Sequence, residues 1–193
     1  MAELYLKHSL YERAVHWVMA FSVILLVLSG LSIRFPGLIP WGLSTMNSAR
    51  FVHFVSMYAL IFAWLAYTVH LVFDEFRTEV IGAADIKGLP EMIRYYLFLS
   101  GRHPEYPRYN PLQKLSYNIV WVMVLVQVAT GAGMYWSART MGAASYAGGL
   151  MALRVLHDFM TYIFISYTIV HVYLVFSSDI RDFWAMINGY RYR

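Results

Sequence analysis

Four long apolar stretches partition the chain: Ala14–Ile33, Phe51–Phe73, Leu115–Ala138 and Val155–Phe176. A helix needs about 20 mostly apolar residues to cross the hydrocarbon of a bilayer, and each stretch is long enough. The first three contain no Asp, Glu, Lys or Arg; the fourth carries one acid, Asp158, near its start. The pattern therefore predicts an all-α membrane protein, a bundle of four transmembrane helices over about 14–33, 51–73, 115–138 and 153–176, forming a single domain across 1–193. The first stretch is not followed by a small-residue cleavage site, and its Glu12-Arg13 flank fits a retained span better than a signal peptide. With four crossings, both termini lie on one side.

The polar segments carry elements of their own. Leu89–Leu99 begins with a Pro at its second position and has an aromatic-rich apolar face, which reads as a short interfacial helix. It ends at Ser100-Gly101, and Pro104, Pro107 and Pro111 interrupt the chain before the third span. Ser178–Ile187 reads as a second surface helix closed by Asn188-Gly189. No sequence repeat and no low-complexity tract are evident.

Composition sharpens this picture. Only 13% of the 193 residues are charged and 60% are hydrophobic, whereas soluble domains run closer to a quarter charged. An aromatic content of 18% is far too rich for a disordered chain. The absence of Cys excludes a disulfide, a thiolate-held iron–sulfur cluster and a C-x-x-C-H haem attachment, so redox chemistry on this chain would have to rest on His. The spans divide the 15 basic residues unequally: 11 fall with the termini and the central loop, and 4 (Arg34, Arg50, Arg139 and Arg154) fall on the other side. The positive-inside rule then makes both termini cytoplasmic. The net charge of +4 points to lipid headgroups rather than nucleic acid.

Five of the seven His (His16, His53, His70, His157 and His171) lie in or at the spans, where ionisable side chains are scarce and tend to mark function. His157 and His171 are 14 residues apart, which on a helix is about 21 Å of rise and a turn of only about 40°. One face of the fourth helix thus presents an imidazole near each membrane surface. His16 opens the first span level with His171, and His53 opens the second level with His157. Two imidazole pairs at two depths suit two stacked haems, each iron six-coordinate and closed to substrate. The competing reading of any single intramembrane His is a neutral, hydrogen-bonded core residue; four at matched depths favour ligation. His70 lies about 100° off the face of His53, and could replace His16, bond a propionate or a quinone, or simply sit at the interface. His8 and His103 fall in polar segments and read as solvated.

Gly30, Gly131 and Gly133 remove side chains within the spans, admitting either a macrocycle or a neighbouring helix. Arg13, Arg50 and Arg154 each stand three residues before a span His, in a threefold Arg-x-x-His pattern. A guanidinium one turn from an axial imidazole can pair with a haem propionate; ordinary snorkelling at helix ends is the alternative.

Arg13-Ala-Val-His16-Trp17 with Leu28-Ser-Gly30, and Arg50-Phe-Val-His53-Phe, resemble the first- and second-span motifs of the b-type cytochrome subunits of membrane-bound nickel–iron hydrogenases. Ile93-Arg-Tyr-Tyr-Leu-Phe-Leu99, Asn110-Pro, His171-Val-Tyr173, Asp179-Ile180 and Met186-Ile-Asn-Gly-Tyr-Arg191 resemble that family's loop, fourth span and tail. The membrane subunit of respiratory formate dehydrogenase is similar through Tyr109-Asn110-Pro-Leu-Gln113-Lys114 and the spacing of His157 and His171. The resemblance implies a module carrying two haem b groups: His53 and His157 on the outer iron, His16 and His171 on the cytoplasmic one, and Asn110 and Gln113 near a menaquinone or ubiquinone. It implies the small (iron–sulfur) and large (nickel–iron) hydrogenase subunits as periplasmic partners, a bacterial or archaeal cytoplasmic membrane, and trimers that pair in that membrane. The chain itself would hold no hydrogenase site. Rival readings are a cytochrome b subunit of a formate dehydrogenase or thiosulfate reductase, a stand-alone haem b oxidoreductase, and a haem-free membrane protein whose His relay protons.

Overall fold

The computed structural model describes residues 4–40, 42–101, 106, 109–137, 139, 145, 148–177 and 180–192. His103, Ala138 and the Ser178 start of the expected tail helix lie outside the described residues. Among the described residues the regular structure is helical apart from one small ribbon. In order it forms β1 (Leu4–Leu6), α1 (Leu10–Arg34), α2 (Met46–His70), a π-helical turn (Leu71–Glu75), α3 (Phe76–Glu79), α4 (Ala83–Tyr96), α5 (Pro111–Tyr135), α6 (Gly149–Ser177), α7 (Ile180–Asn188) and β2 (Tyr190–Tyr192). Among the described residues four helices are long and apolar enough to cross a membrane: α1, α2 with its π-turn to Phe73, α5 and α6, of 25, 28, 25 and 29 residues. They expose large apolar side chains such as Phe21, Phe62, Ile169 and Phe176, which suits helices whose outer faces meet lipid rather than water.

Helix starts fall earlier than the apolar pattern indicates, because capping side chains extend them. Ser9 Oγ accepts the Glu12 amide while the Glu12 carboxylate accepts the Ser9 amide. This reciprocal box satisfies two orphan donors and adds a full turn, bearing Arg13, ahead of Ala14. Asn110 and Gln113 do the same for α5: the Gln113 amide donates to Asn110 Oδ1, and the Asn110 amide donates to Gln113 Oε1, both at 2.9 Å. Pro111 is thereby the first residue of the third span, where its missing N–H costs nothing.

The interfacial helix also differs from expectation. It starts at Ala83 rather than near Leu89, so Pro90 lies inside it. The Gly82 amide donates to Asp85 Oδ2 at 2.9 Å and Lys114 reaches the same carboxylate at 3.1 Å, fixing an earlier start. Those contacts, the Gly82 amide first, hold the Asp85 carboxyl below its ordinary pKa against partial desolvation. The helix stops at Tyr96 rather than Leu99, because Phe98 turns left-handed (φ 59°) and the Leu99 amide folds back to the Arg94 carbonyl.

Contacts divide the chain into two compact units, 1–67 with 128–193, and 68–127. In the second unit α4 lies against the start of α5, where a Cβ on Gly88 would meet Pro111 and the Tyr106 hydroxyl at 2.9 Å. Asn118 ties α5 to the Glu79 carbonyl at 3.1 Å.

In the first unit the two chain ends meet. β1 and β2 pair antiparallel, Leu4 opposite Tyr192 and Leu6 opposite Tyr190, which is compatible with an even number of crossings. Lys7, buried, donates to Asp182 at 2.7 Å, and Arg191 pairs with the same carboxylate at 2.6 Å. Trp17 Nε1 donates to the Met186 carbonyl at 3.0 Å and Arg13 to that of Ile187. These are last-turn carbonyls of α7, which otherwise lack partners. His8 is buried beneath this clasp, its amide donating to the Gly189 carbonyl at 3.1 Å. This corrects the expectation of a solvated His8: the polar segment around it is covered by the returning tail.

Gly189 sits at φ 93°, and a Cβ there would come within 2.9 Å of the His8 carbonyl. Gly189→Ala is therefore expected to destabilise the clasp by about 2 kcal/mol, from left-handed strain together with the clash. Protease cutting of the C-terminal tail in detergent should accelerate in the variant, and an unchanged cutting rate would show that the turn tolerates a side chain.

Candidate functional site: two histidine pairs sharing one helix

The first unit brings four imidazoles together in two pairs. His53 of α2 and His157 of α6 have ring centroids 6.4 Å apart, and His16 of α1 and His171 of α6 have centroids 6.3 Å apart. All four rings are half-buried. Each pair thus takes one member from α6, whose 29 residues carry both faces of the arrangement. The His16–His171 pair lies at the end where the chain termini meet. Tyr167, one turn before His171, stacks on its ring at 5.8 Å and 10°, and Trp17 meets His16 edge-on at 5.4 Å.

The separations can be tested against a metal. With a bond of about 2 Å to one nitrogen of each ring, and each ring centre about 1.15 Å behind its nitrogen, two opposed imidazoles have centroids about 6.3 Å apart. Both pairs match that spacing. Among the described residues no cluster of three or more His, Cys, Asp or Glu side chains could hold a bare ion. A site offering two nitrogens suits a metal that brings its other ligands with it, as iron in a porphyrin does.

The helices approach these rings through small residues. A Cβ on Gly30 of α1 would lie 3.5 Å from His53 Cε1, and one on Gly131 of α5 would lie 3.3 Å from His157 Cε1. Gly133 plays a different part, facing Leu153 at 2.9 Å. Beside each of the first two glycines stands a hydroxyl. Ser29 Oγ lies 3.0 Å from His53 Nδ1, and Thr130 Oγ1 lies 2.9 Å from His157 Nδ1. Sequence reasoning named the glycines but missed the hydroxyls. Their signal is a hydroxyl-Gly dipeptide 23 and 26 residues ahead of the next span's His, an internal echo too short to register as a repeat.

The three arginines of the Arg-x-x-His pattern separate. Arg50 and Arg154 are exposed and make no hydrogen bond or ion pair to a described residue. Arg13 is half-buried and engaged by the tail, donating to the Ser9 and Ile187 carbonyls. Asp158, beside His157, pairs with Arg34 at 3.4 Å and joins the end of α1 to α6. His70 closes α2 immediately before the π-helical turn and belongs to the second unit; the ring facing His171 is that of His16. Asn110 and Gln113 also belong to the second unit, where they form the cap of α5 and Asn110 Nδ2 reaches the Tyr96 hydroxyl at 3.4 Å.

The family model for prokaryotic cytochrome b561 matches residues 7–189. The chain belongs to that family. Among its relatives, the "Probable Ni/Fe-hydrogenase B-type cytochrome subunit" of Cupriavidus necator is 28% identical, the match covering 94% of this chain and 85% of that protein. The protein of the same name from Azotobacter vinelandii is also 28% identical, over 91% and 82%. A third, the "Putative protein-methionine-sulfoxide reductase subunit YedZ1" of Azospira oryzae, is 25% identical over 97% of this chain and 98% of its own length.

For a b561-family protein the glycine contacts bear directly on cofactor retention. Gly131→Leu would drive a branched side chain into the His157 ring, whereas Gly131→Ala asks for a shift of only a few tenths of an ångström. The expected outcome is near-normal haem content in Gly131→Ala and a clear loss of haem in Gly131→Leu, read by the pyridine haemochrome. Equal haem in both variants would remove the glycine from the site.

Proposed function

We propose that this chain is the di-haem b electron-transfer subunit of a hydrogen:quinone oxidoreductase, linking a periplasmic iron–sulfur/nickel–iron heterodimer to the quinone pool at the cytoplasmic side of the membrane. The observation that carries the reading is the two pairs of imidazoles with centroids 6.3 and 6.4 Å apart, each pair with one member on α6. A haem bound at each level supplies a reversible one-electron change at iron. His53 and His157 hold the outer group, and His16 and His171 the one at the end where the termini meet. Arg50 and Arg154, exposed one turn from their imidazoles, would pair with propionates; Arg13 would share that duty with its hold on the tail. Gly30 and Gly131 keep the neighbouring helices close to the rings, and the apolar spans exclude water.

The charge asymmetry of 11 basic residues against 4 supports cytoplasmic termini. The His16–His171 pair is then the one nearer the quinone-reducing side. Oxidation of hydrogen releases two protons outside, and reduction of menaquinone or ubiquinone takes up two inside, so turnover charges the membrane. The names of the Cupriavidus and Azotobacter relatives support a hydrogenase as partner. The match to nearly the full length of the Azospira protein favours a second reading, in which the partner is a sulfoxide reductase and electrons flow from quinol outward. Co-purification separates the two, since only the first yields a complex containing nickel.

The haem assignment is tested by counting. Wild-type protein should carry two b haems, and His53→Ala or His157→Ala should remove one while His16→Ala or His171→Ala removes the other. Colourless protein would overturn the reading, and retention of both haems in His16→Ala would transfer that ligand role to His70.

Asn110 and Gln113 are candidates for the quinone contact, although their facing atoms already serve the α5 cap. Gln113→Glu keeps a cap acceptor and deletes the amide donor, which separates the two roles. A KM for quinone raised several-fold at unchanged thermal stability is expected, and an unaltered KM would take Gln113 out of the quinone site.

A further inference from the structure

The two histidines of the outer pair share an arrangement that the inner pair lacks. Ser29 is fully buried and its hydroxyl lies 2.6 Å from the Leu25 carbonyl, one turn back along α1. A hydroxyl has one proton to give. With that proton directed at Leu25, the Ser29 oxygen has only lone pairs for His53 Nδ1, 3.0 Å away. Nδ1 must then carry the hydrogen and donate it, leaving Nε2 bare. Thr130, also buried, stands at 2.9 Å from His157 Nδ1 on α5. A second hydroxyl thus faces an Nδ1 of the pair from a different helix, and at Thr130 the direction of the bond is set by the tautomer of His157. Among the described residues, no hydrogen bond reaches a ring nitrogen of His16 or His171; their neighbours are the flat faces and edges of Tyr167 and Trp17.

We propose that Ser29 and Thr130 are positioning residues of the outer haem: they hold His53 and His157 as Nδ1–H tautomers with Nε2 turned to the iron, and so lower the reduction potential of that haem alone. The proposal rests on the di-haem reading above. Its physical basis is that an imidazole donating from Nδ1 is a more basic ligand at Nε2 and stabilises the more highly charged, oxidised metal. In an apolar span, with no water to replace the lost acceptor, the effect of removing it is not masked by solvent. The two haem environments differ accordingly. One pair is braced by hydroxyls, while the other is held by aromatic packing.

The experiment is a redox titration of the purified protein, with the two b components assigned through His53→Ala and His16→Ala. Ser29→Ala and Thr130→Ala are each expected to shift the outer component's reduction equilibrium up to about tenfold toward the reduced form, about 59 mV for one electron. The inner component should stay fixed. Ser29→Thr and Thr130→Ser retain a hydroxyl and should restore the wild-type midpoint. The low-temperature electron paramagnetic resonance signal of the oxidised outer haem should also move in the alanine variants, reporting ring orientation independently of turnover. If Ser29→Ala sheds its haem, Ser29→Cys keeps the volume with a weaker acceptor and is expected to shift the midpoint in the same direction. Two haems with unmoved potentials and spectra in both alanine variants would overturn this proposal and leave the di-haem reading standing. Wild-type protein without haem would overturn that reading first.

Discussion

Hydrocarbon offers no hydrogen bonds, so every polar atom in a span must find its partner within the protein. Much of the structure follows from that constraint. Hydroxyls in the spans turn back onto their own helix: Ser32 to the Leu28 carbonyl, Thr161 to His157, Ser166 to Tyr162 and Thr168 to Phe164. Imidazoles have no such local solution, because a ring with both a donor and an acceptor cannot satisfy itself against its own carbonyls. Across the helix interface they are met by a serine, a threonine or another imidazole, and along their own helices by the aromatic rings of Trp17 and Tyr167.

Length and apolarity made the four spans legible, and helix geometry alone placed His157 and His171 on one face. That reasoning reaches as far as the pairings His53 with His157 and His16 with His171, which the structure brings within 6.4 Å. It fails at the ends of elements. The starts of α1 and α5 depend on Ser9 with Glu12 and Asn110 with Gln113, whose value lies in two reciprocal bonds rather than in hydrophobic pattern. Pro90 marks no boundary, because Asp85 and Lys114 anchor a helix that begins before it.

The clasp of the termini was illegible for another reason. Lys7 and Asp182 are 175 positions apart, and nothing in either segment advertises the other. The same clasp explains why His8 is covered and why Arg13 departs from the behaviour of Arg50 and Arg154 despite the shared Arg-x-x-His spacing. A motif read from sequence gives a residue a place on its own helix. It does not say which returning segment will reach that place first. Ser29 and Thr130 escaped notice by a related route: hydroxyls are common in spans, and a bond from one to a ring on another helix leaves no mark in local pattern.

Both histidine pairs take one member from α6, and their other members stand on α1 and α2. The two gaps are therefore not independent. A rigid shift or rotation of α6 would move His157 and His171 together and change both separations at once, so whatever sets the position of that one helix sets the spacing at both levels.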